Sequence, residues 1–235
     1  KNRDMSRSIG SMTKLMTAYV FLQGNPDLNA TASLEAVDVR LGGVQHLSLG
    51  DPIRVRDMLW ASLIASDNSA TAALVRLSGL REGYFVSRMN EEAAGMGMQQ
   101  TTFTDPTGLS ADNRSIVHDV VLMLDRILQH PVIKEATTQV TADIVSVSGR
   151  VYHLETTDEL LNSFLNRFPY RIVGGKTGFL PEAGYSLGTI FSENNGHEII
   201  VVVLGSETNE GRFQDVKSLA AWAYQTFDWQ DQQTL

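Results

Sequence analysis

Three short stretches of this chain carry side chains that together could perform acyl transfer. In Ser11-Met12-Thr13-Lys14 a hydroxyl and an amine stand three residues apart. On a helix that spacing puts both on one face, so Lys14 would lie beside Ser11. A serine hydroxyl becomes an effective nucleophile when a neighbouring base takes its proton, and a desolvated lysine can be that base. In Ser66-Asp67-Asn68 a second hydroxyl and a carboxamide follow one another, the first suited to relaying a proton, the second to bonding a substrate amide. In Lys176-Thr177-Gly178 an ammonium, a hydroxyl and a bare backbone stand in sequence. Each stretch alone has an ordinary reading: a helix N-cap serine with an exposed lysine, a Ser/Asp N-cap, a Gly-rich hairpin.

The surrounding residues indicate what would position these groups. Leu15-Met16-Thr17-Ala18-Tyr19-Val20-Phe21-Leu22 is apolar enough for a buried helix, which would desolvate Lys14 and lower its pKa. Ser11 then lies near the helix start, where unpaired N–H groups favour developing negative charge. Val55 to Ile64 has the apolar spacing of a core helix, and Ala70 to Leu77 reads as another closed by Gly79. Ser66-Asp67-Asn68 therefore belongs on the turn between them. Arg171 to Gly175 and Ala183 to Phe191 read as two strands meeting at a turn, with Lys176-Thr177-Gly178 on the first. A glycine on a strand edge lets a ligand backbone approach closely.

The order of the motifs is informative. At average composition S-x-x-K occurs by accident about once in a chain this long, and a given tripeptide in roughly one such chain in twenty. All three in the order S-x-x-K, S-D-N, K-T-G should arise by luck about once in a thousand chains or less. This order is the signature of penicillin-binding proteins and class A β-lactamases. The chain resembles the low-molecular-mass penicillin-binding proteins of the D-alanyl-D-alanine carboxypeptidase family over nearly its whole length. The likeness extends to Phe85-Val86-Ser87-Arg88-Met89-Asn90 with Gly95-Met96-Gly97-Met98, and to Thr102-Phe103-Thr104-Asp105-Pro106-Thr107-Gly108-Leu109. It continues through Thr156-Thr157-Asp158-Glu159-Leu160-Leu161 and Gly175-Lys176-Thr177-Gly178-Phe179 followed by Glu182-Ala183-Gly184-Tyr185. Two departures stand out: Ile9-Gly10 replaces the usual Pro-Ala before the nucleophile, and Asp67 occupies the centre of what is more often S-G-N.

The resemblance implies a mechanism. Ser11, deprotonated by Lys14, would attack the carbonyl of a D-Ala-D-Ala bond in a peptidoglycan stem peptide. The backbone N–H groups of Ser11 and Phe179 would hold the oxyanion, each such donor being worth about 3–4 kcal/mol. Ser66, with Lys176, would pass the proton to the leaving D-alanine, and water would hydrolyse the acyl-enzyme. The expected catalytic set is thus Ser11, Lys14, Ser66, Asn68 and Lys176, with Thr177, Gly178, Phe179 and Arg212 binding substrate. Arg212 matches the family's carboxylate-binding arginine. No cofactor and no metal is expected. The expected partners are stem peptides, with β-lactams as covalent inhibitors.

Composition narrows the field. The 235 residues are 43% hydrophobic and 20% charged, as in an ordinary globular domain. A net charge of −8 argues against general nucleic-acid binding. With no cysteine there is neither disulfide nor thiolate chemistry. The five histidines make no H-E-x-x-H and no i, i+4 pair, so a zinc site is not expected, and the Gly-Gly pairs make no phosphate-binding loop. The longest apolar run, Ile199 to Leu204, is far short of a membrane span. Export to the periplasm or cell envelope is expected, with the signal peptide, and any membrane association, lying in segments outside this sequence.

The expected fold class is α/β (α+β), of the β-lactamase/transpeptidase-like kind: an antiparallel sheet flanked by helices, with a mostly helical lobe inserted. Residues 1–235 should form one catalytic domain, its α/β lobe about 1–24 plus 170–235 and its helical lobe about 25–169. The family's C-terminal β domain is expected to be absent, and Lys1-Asn2-Arg3-Asp4 reads as the tail of an upstream hairpin. Ser115 is a plausible N-cap for a helix over Ile116–Leu128 stopping before Pro131. Ile199–Leu204 suits a central strand, and Arg212 to Phe227 a final helix with Phe213, Val216, Leu219, Ala220, Ala223 and Phe227 on one face. Met96 and Met98 read as core packing.

Three other activities compete. A D,D-endopeptidase would cut peptide cross-links with the same residues. A class A-like β-lactamase needs a deacylating glutamate, and Glu159-Leu160-Leu161-Asn162 resembles its loop only superficially. That stretch lies 17 residues before Lys176, much closer than the resemblance to such enzymes would place it. An inactive penicillin-binding scaffold would not need every motif side chain intact.

Overall fold

Thr13–Gln23 (α1) is buried on every side from Thr13 to Leu22, as its lack of a polar stripe requires. The remaining helices pack around it in the computed structural model, which describes residues 2–229. The reading of Lys1 as part of a strand's tail lies outside those residues. Val55–Leu63 (α2), Asn68–Leu77 (α3), Glu82–Gly95 (α4), Val117–Ile127 (α5) and Pro131–Thr137 (α6) all touch α1. Together they form one apolar cluster that includes Leu15, Met16, Met58, Leu74, Phe85, Met89 and Met98. Each such side chain contributes about 1.5–3 kcal/mol by leaving water.

Short paired strands frame this helical part. Arg7–Ser8 (β1) pairs antiparallel with Arg114–Ser115 (β4), and Thr31–Ala32 (β2) with Ile53–Arg54 (β3). Thr141–Val145 (β5) and Val151–Glu155 (β6) form a hairpin. The main sheet is antiparallel, in the order Tyr170–Leu180 (β7), Gly184–Glu193 (β8), Glu198–Ser206 (β9). Its two faces follow the strand period of two. Ile190 joins the cluster around α1, whereas Leu187 and Phe191 pack with Phe213, Val216 and Ala220 of Asn209–Thr226 (α7). The sheet is thereby covered by α5 on one face and α7 on the other. No helix of the described residues is long and apolar enough to cross a membrane.

Local signals explain most elements and correct several expectations. Asp67 caps α3 by accepting a bond from Ala70 N at 2.9 Å, so this helix begins at Asn68 and includes the motif's carboxamide. Ser115 is not an N-cap. It lies in β4, its hydroxyl bonded to Thr101 at 2.7 Å, and Ile116 precedes α5 without any side-chain cap. Pro131 does more than end a helix: it sits at the first position of α6, where its missing N–H costs nothing. Helix α7 starts three residues before Arg212, where the Thr208 hydroxyl accepts from Gly211 N at 2.9 Å. Of its expected apolar face Phe213, Val216 and Ala220 are buried, while Leu219 and Phe227 remain about half exposed. Among the described residues β9 pairs only with β8, so the apolar run Ile199–Leu204 forms an edge and β8 takes the centre.

Candidate active site

The Ser11-Met12-Thr13-Lys14 motif enters α1 through a single 3-10 turn, Gly10–Met12, with Ser11 at its middle. Lys14 follows in the first turn of α1, wholly buried. Its Nζ stands 2.9 Å from Ser11 Oγ, 2.6 Å from Asn68 Oδ1 and 2.6 Å from the carbonyl oxygen of Thr107. The last two are pure acceptors and can take both protons of a neutral amine. Its lone pair then remains for the hydroxyl proton of Ser11. Burial pushes the Lys14 pKa down to about 7, with the carboxylates of Asp105 and Asp67 partly opposing the fall. The group is therefore poised between charged and neutral near neutrality, as a general base should be.

Ser66 sits on the turn between α2 and α3 with a left-handed backbone, φ +59°. For a residue with a Cβ that conformation costs about 1–3 kcal/mol and is held by its surroundings. Here the Asp67 N–H bonds to Ala61 O at 3.1 Å and the Asp67 carboxylate caps α3. Lys176 Nζ donates to Ser66 Oγ at 3.1 Å and also lies 3.3 Å from Thr177 O. Burial lowers the Lys176 pKa well below the usual lysine value, and the positive charges of Lys14 and Arg212 add to the effect against Asp158. Three motifs distant in sequence thus supply two linked hydroxyl–amine pairs, Ser11–Lys14 and Ser66–Lys176.

Strand β7 brings Lys176-Thr177-Gly178 against the turn that carries Ser11. A Cβ on Gly10 would stand 2.9 Å from Phe179 N, so the start of the serine turn and the end of the motif strand lie against each other. Space beside Gly178 is filled by Ile9 O and Met12, so the close approach it allows is made by the protein's own turn. Thr177 Oγ1 is 2.6 Å from Thr157 Oγ1. The Phe179 ring is half exposed and stacks on Tyr185 at 4.3 Å. Arg212 is only 6% exposed rather than solvated at its helix start. Its guanidinium donates to Gly178 O at 3.0 Å, Ser186 O at 3.3 Å and Asn209 Oδ1 at 2.6 Å, and so braces the strand that carries the motif.

Several contributors were invisible as such in the sequence. Thr107 offers Lys14 its carbonyl, and any residue has a carbonyl. The loop that presents it is shaped by Asp105, whose carboxylate accepts from the N–H groups of Thr107, Gly108 and Ser110 at 2.6, 2.9 and 2.8 Å. Gly108 has φ +87°, and a Cβ there would collide with Gly10 O. Asn113 ties the same loop to α1 through Thr13 Oγ1 at 3.0 Å. The Asp-Pro-Thr-Gly turn signal was legible; its seat against Ser11 was not. Asp158 is a second omission. Buried beside Lys176 and Arg212, it accepts from Leu160 N at 3.0 Å, and burial raises its carboxyl to about 6. An apolar groove of about 420 Å³ lies between α5, α7 and β9 and includes none of these residues.

This geometry has counterparts among known proteins. The model of the D-alanyl-D-alanine carboxypeptidase family matches residues 1–208. The chain belongs to this family. It is 33% identical over 186 residues to the D-alanyl-D-alanine endopeptidase of Haemophilus influenzae, a match covering 78% of this chain and 62% of that protein. The chain therefore spans less than two thirds of that relative's length. It is 30% identical over 221 residues to the endopeptidase of Escherichia coli, covering 93% of this chain and 70% of the relative. A D-alanyl-D-alanine carboxypeptidase of Bacillus subtilis is 27% identical over 234 residues, covering 97% and 59%. The Streptomyces K15 DD-transpeptidase superposes with a TM-score of 0.81 at 26% identity, covering 96% of this chain and 90% of that one. The fold is thus β-lactamase/transpeptidase-like, mixed α and β, as the motif order implied. The family is one of serine D,D-peptidases related to the low-molecular-mass penicillin-binding proteins.

Proposed function

We propose that this protein is a serine D,D-peptidase that acylates Ser11 with the D-Ala-D-Ala end of peptidoglycan stem peptides, hydrolyses the ester, and is trapped by β-lactams. The reading rests chiefly on one observation, the desolvated Lys14 amine 2.9 Å from Ser11 Oγ. Neutral Lys14 takes the Ser11 proton as Oγ attacks the carbonyl carbon. The N–H groups of Ser11 and Phe179 receive the oxyanion. The tetrahedral adduct collapses as Ser66, bonded to Lys176, protonates the leaving amine and is itself reprotonated with the proton Lys14 took, which leaves Lys14 neutral for deacylation. Water then attacks the ester by the reverse path, regenerating Ser11. Thr177 and Arg212 favour a substrate carboxylate: the hydroxyl donates directly, and the buried guanidinium adds positive charge behind the strand. Residues 1–235 act in this reading as a single catalytic domain with the cleft between a sheet lobe and a helical lobe. Its place of action would be the cell envelope, where the polymer lies.

Removal of a terminal D-alanine is the first activity we assign. Cleavage of cross-links is the second reading, favoured by the 30–33% identity to relatives named endopeptidases. The test is mass spectrometry after mixing with a labelled penicillin, followed by assay of a pentapeptide against a cross-linked dimer. One adduct on the Ser11 peptide that persists for minutes supports the peptidase. Rapid turnover of penicillin without an adduct would favour the β-lactamase alternative instead. Release of D-alanine from the pentapeptide, with the dimer left intact, supports the carboxypeptidase; the opposite result assigns the endopeptidase.

A further inference from the structure

The middle residue of Ser66-Asp67-Asn68 has no task in the mechanism above, yet its carboxylate is fully buried. Oδ1 caps α3 through Ala70 N, which accounts for half of it. Oδ2 reaches in another direction, to the N–H of His46 at 2.7 Å. The neighbours of Asp67 bond to the same distant segment. Asn68 Nδ2 donates to Gly42 O at 2.6 Å, Arg40 N donates to Ser69 Oγ at 3.1 Å, and that hydroxyl donates to Gln45 Oε1 at 3.3 Å. Residues 40–46 therefore form a strap laid along the motif turn, bonded to each of residues 67, 68 and 69. Gly43 has φ +74°, and a Cβ there would stand 3.2 Å from Asn68 Nδ2. Only a bare backbone lies this close without pushing on the carboxamide.

The consequence falls on the orientation of Asn68. A carboxamide can be flipped, exchanging its oxygen and nitrogen with little steric change. Lys14 as donor on one side and Gly42 O as acceptor on the other select one orientation. Flipped, the amide would set two donors together at Lys14 and two acceptors together at Gly42. In the selected orientation one N–H is used by Gly42 O and the second is left for a ligand. We propose that the 40–46 strap, clasped by Asp67, is a positioning element that fixes the Asn68 carboxamide so that its remaining N–H reads the amide carbonyl of the acyl donor. This inference rests on the proposed peptidase activity and adds a determinant of which acyl donors it prefers.

Two variants and two probes test it. Asp67→Asn retains an oxygen to cap α3 but turns an NH₂ towards the His46 N–H, releasing the strap. Gly43→Ala pushes on the carboxamide from the strap side and leaves the motif untouched, so the test survives if Asp67→Asn folds poorly. Second-order acylation constants are measured with benzylpenicillin, which carries an acylamido carbonyl, and with 6-aminopenicillanic acid, which carries a free amine instead. The wild type should prefer benzylpenicillin, and both variants should lose about five- to tenfold of that preference, the worth of one hydrogen bond. A role in stability alone would slow both probes by the same factor, and an unchanged ratio in the variants overturns the proposal. A wild type that is acylated but shows no preference also overturns it, with the peptidase reading left intact. A wild type acylated by neither probe overturns both.

Discussion

If neutral Lys14 removes the proton from Ser11, acylation must follow the titration of that lysine. Burial moves its pKa from 10.5 to about 7. The shift corresponds to about 5 kcal/mol of lost preference for the charged form. At pH 7 about half the molecules then hold a free base, against about one in three thousand for a lysine left at its ordinary value. The direction follows from the base form being the active one. Acylation is suppressed below the folded pKa and rises to a plateau above it. Stopped-flow measurement of the second-order rate with a fluorescent penicillin between pH 5.5 and 9 should show a midpoint near 7. Below about pH 6 the rate should fall nearly tenfold per pH unit. Lys176 is also desolvated, so Lys176→Arg, which keeps the charge but does not titrate, serves as the control. The variant will be slower, yet its midpoint should stay near 7. Lys14→Arg should lose acylation altogether, because a guanidinium does not give up its proton. A rate that is flat across this range, a limb that vanishes in Lys176→Arg, or a Lys14→Arg variant that acylates normally would refute the reasoning.

Three further outcomes are expected. Ser11→Ala should abolish covalent labelling by penicillin and leave the melting temperature nearly unchanged, since only one hydroxyl is lost; persistent labelling would remove Ser11 from its role. Gly108→Ala introduces a Cβ that collides with Gly10 O at φ +87°, so acylation should fall at least about tenfold as the serine turn shifts. Wild-type kinetics in that variant would show that the loop does not set the nucleophile. Arg212→Ala removes the buried guanidinium that donates to Gly178 O, Ser186 O and Asn209 Oδ1 and should cost about 2–4 kcal/mol in urea unfolding. It should also shrink the preference for substrates with a free over an amidated C-terminus. Wild-type stability together with the full preference would place both roles elsewhere.

Much of the fold was legible because its signals are local. The unbroken apolar run after Lys14 demanded a buried helix, and α1 is buried on every side. The alternating and small residues around Lys176 demanded paired strands, and Lys176 stands opposite Gly188 in the β7–β8 ladder. Where expectation and structure part, a nonlocal partner intervened. Ser115 looked like a cap, but pairing with Arg7 drew it into a strand. Ile199–Leu204 looked like a central strand, but position within a sheet is a matter of which strands pair, and apolar content alone does not specify it.

The same division runs through the candidate site. Sequence by itself singled out the side chains proposed for the chemistry and placed Lys14 beside Ser11, because a three-residue spacing within helical backbone depends on nothing else in the fold. It also pointed to the family, since the motif order narrows the choice to penicillin-binding proteins and class A β-lactamases and the longer stretches around the motifs resemble the former. Tertiary structure decided how those groups are tuned. Lys14 is displaced to about 7 by burial among elements from across the chain, and its other acceptors are Asn68 and the Thr107 carbonyl. Desolvation depends on everything packed around a group, and a backbone carbonyl has no signature in residue type. The same reason hid the strap over Asn68. Gly42 and Gly43 look like any flexible pair until folding sets them against a carboxamide 26 residues away in sequence.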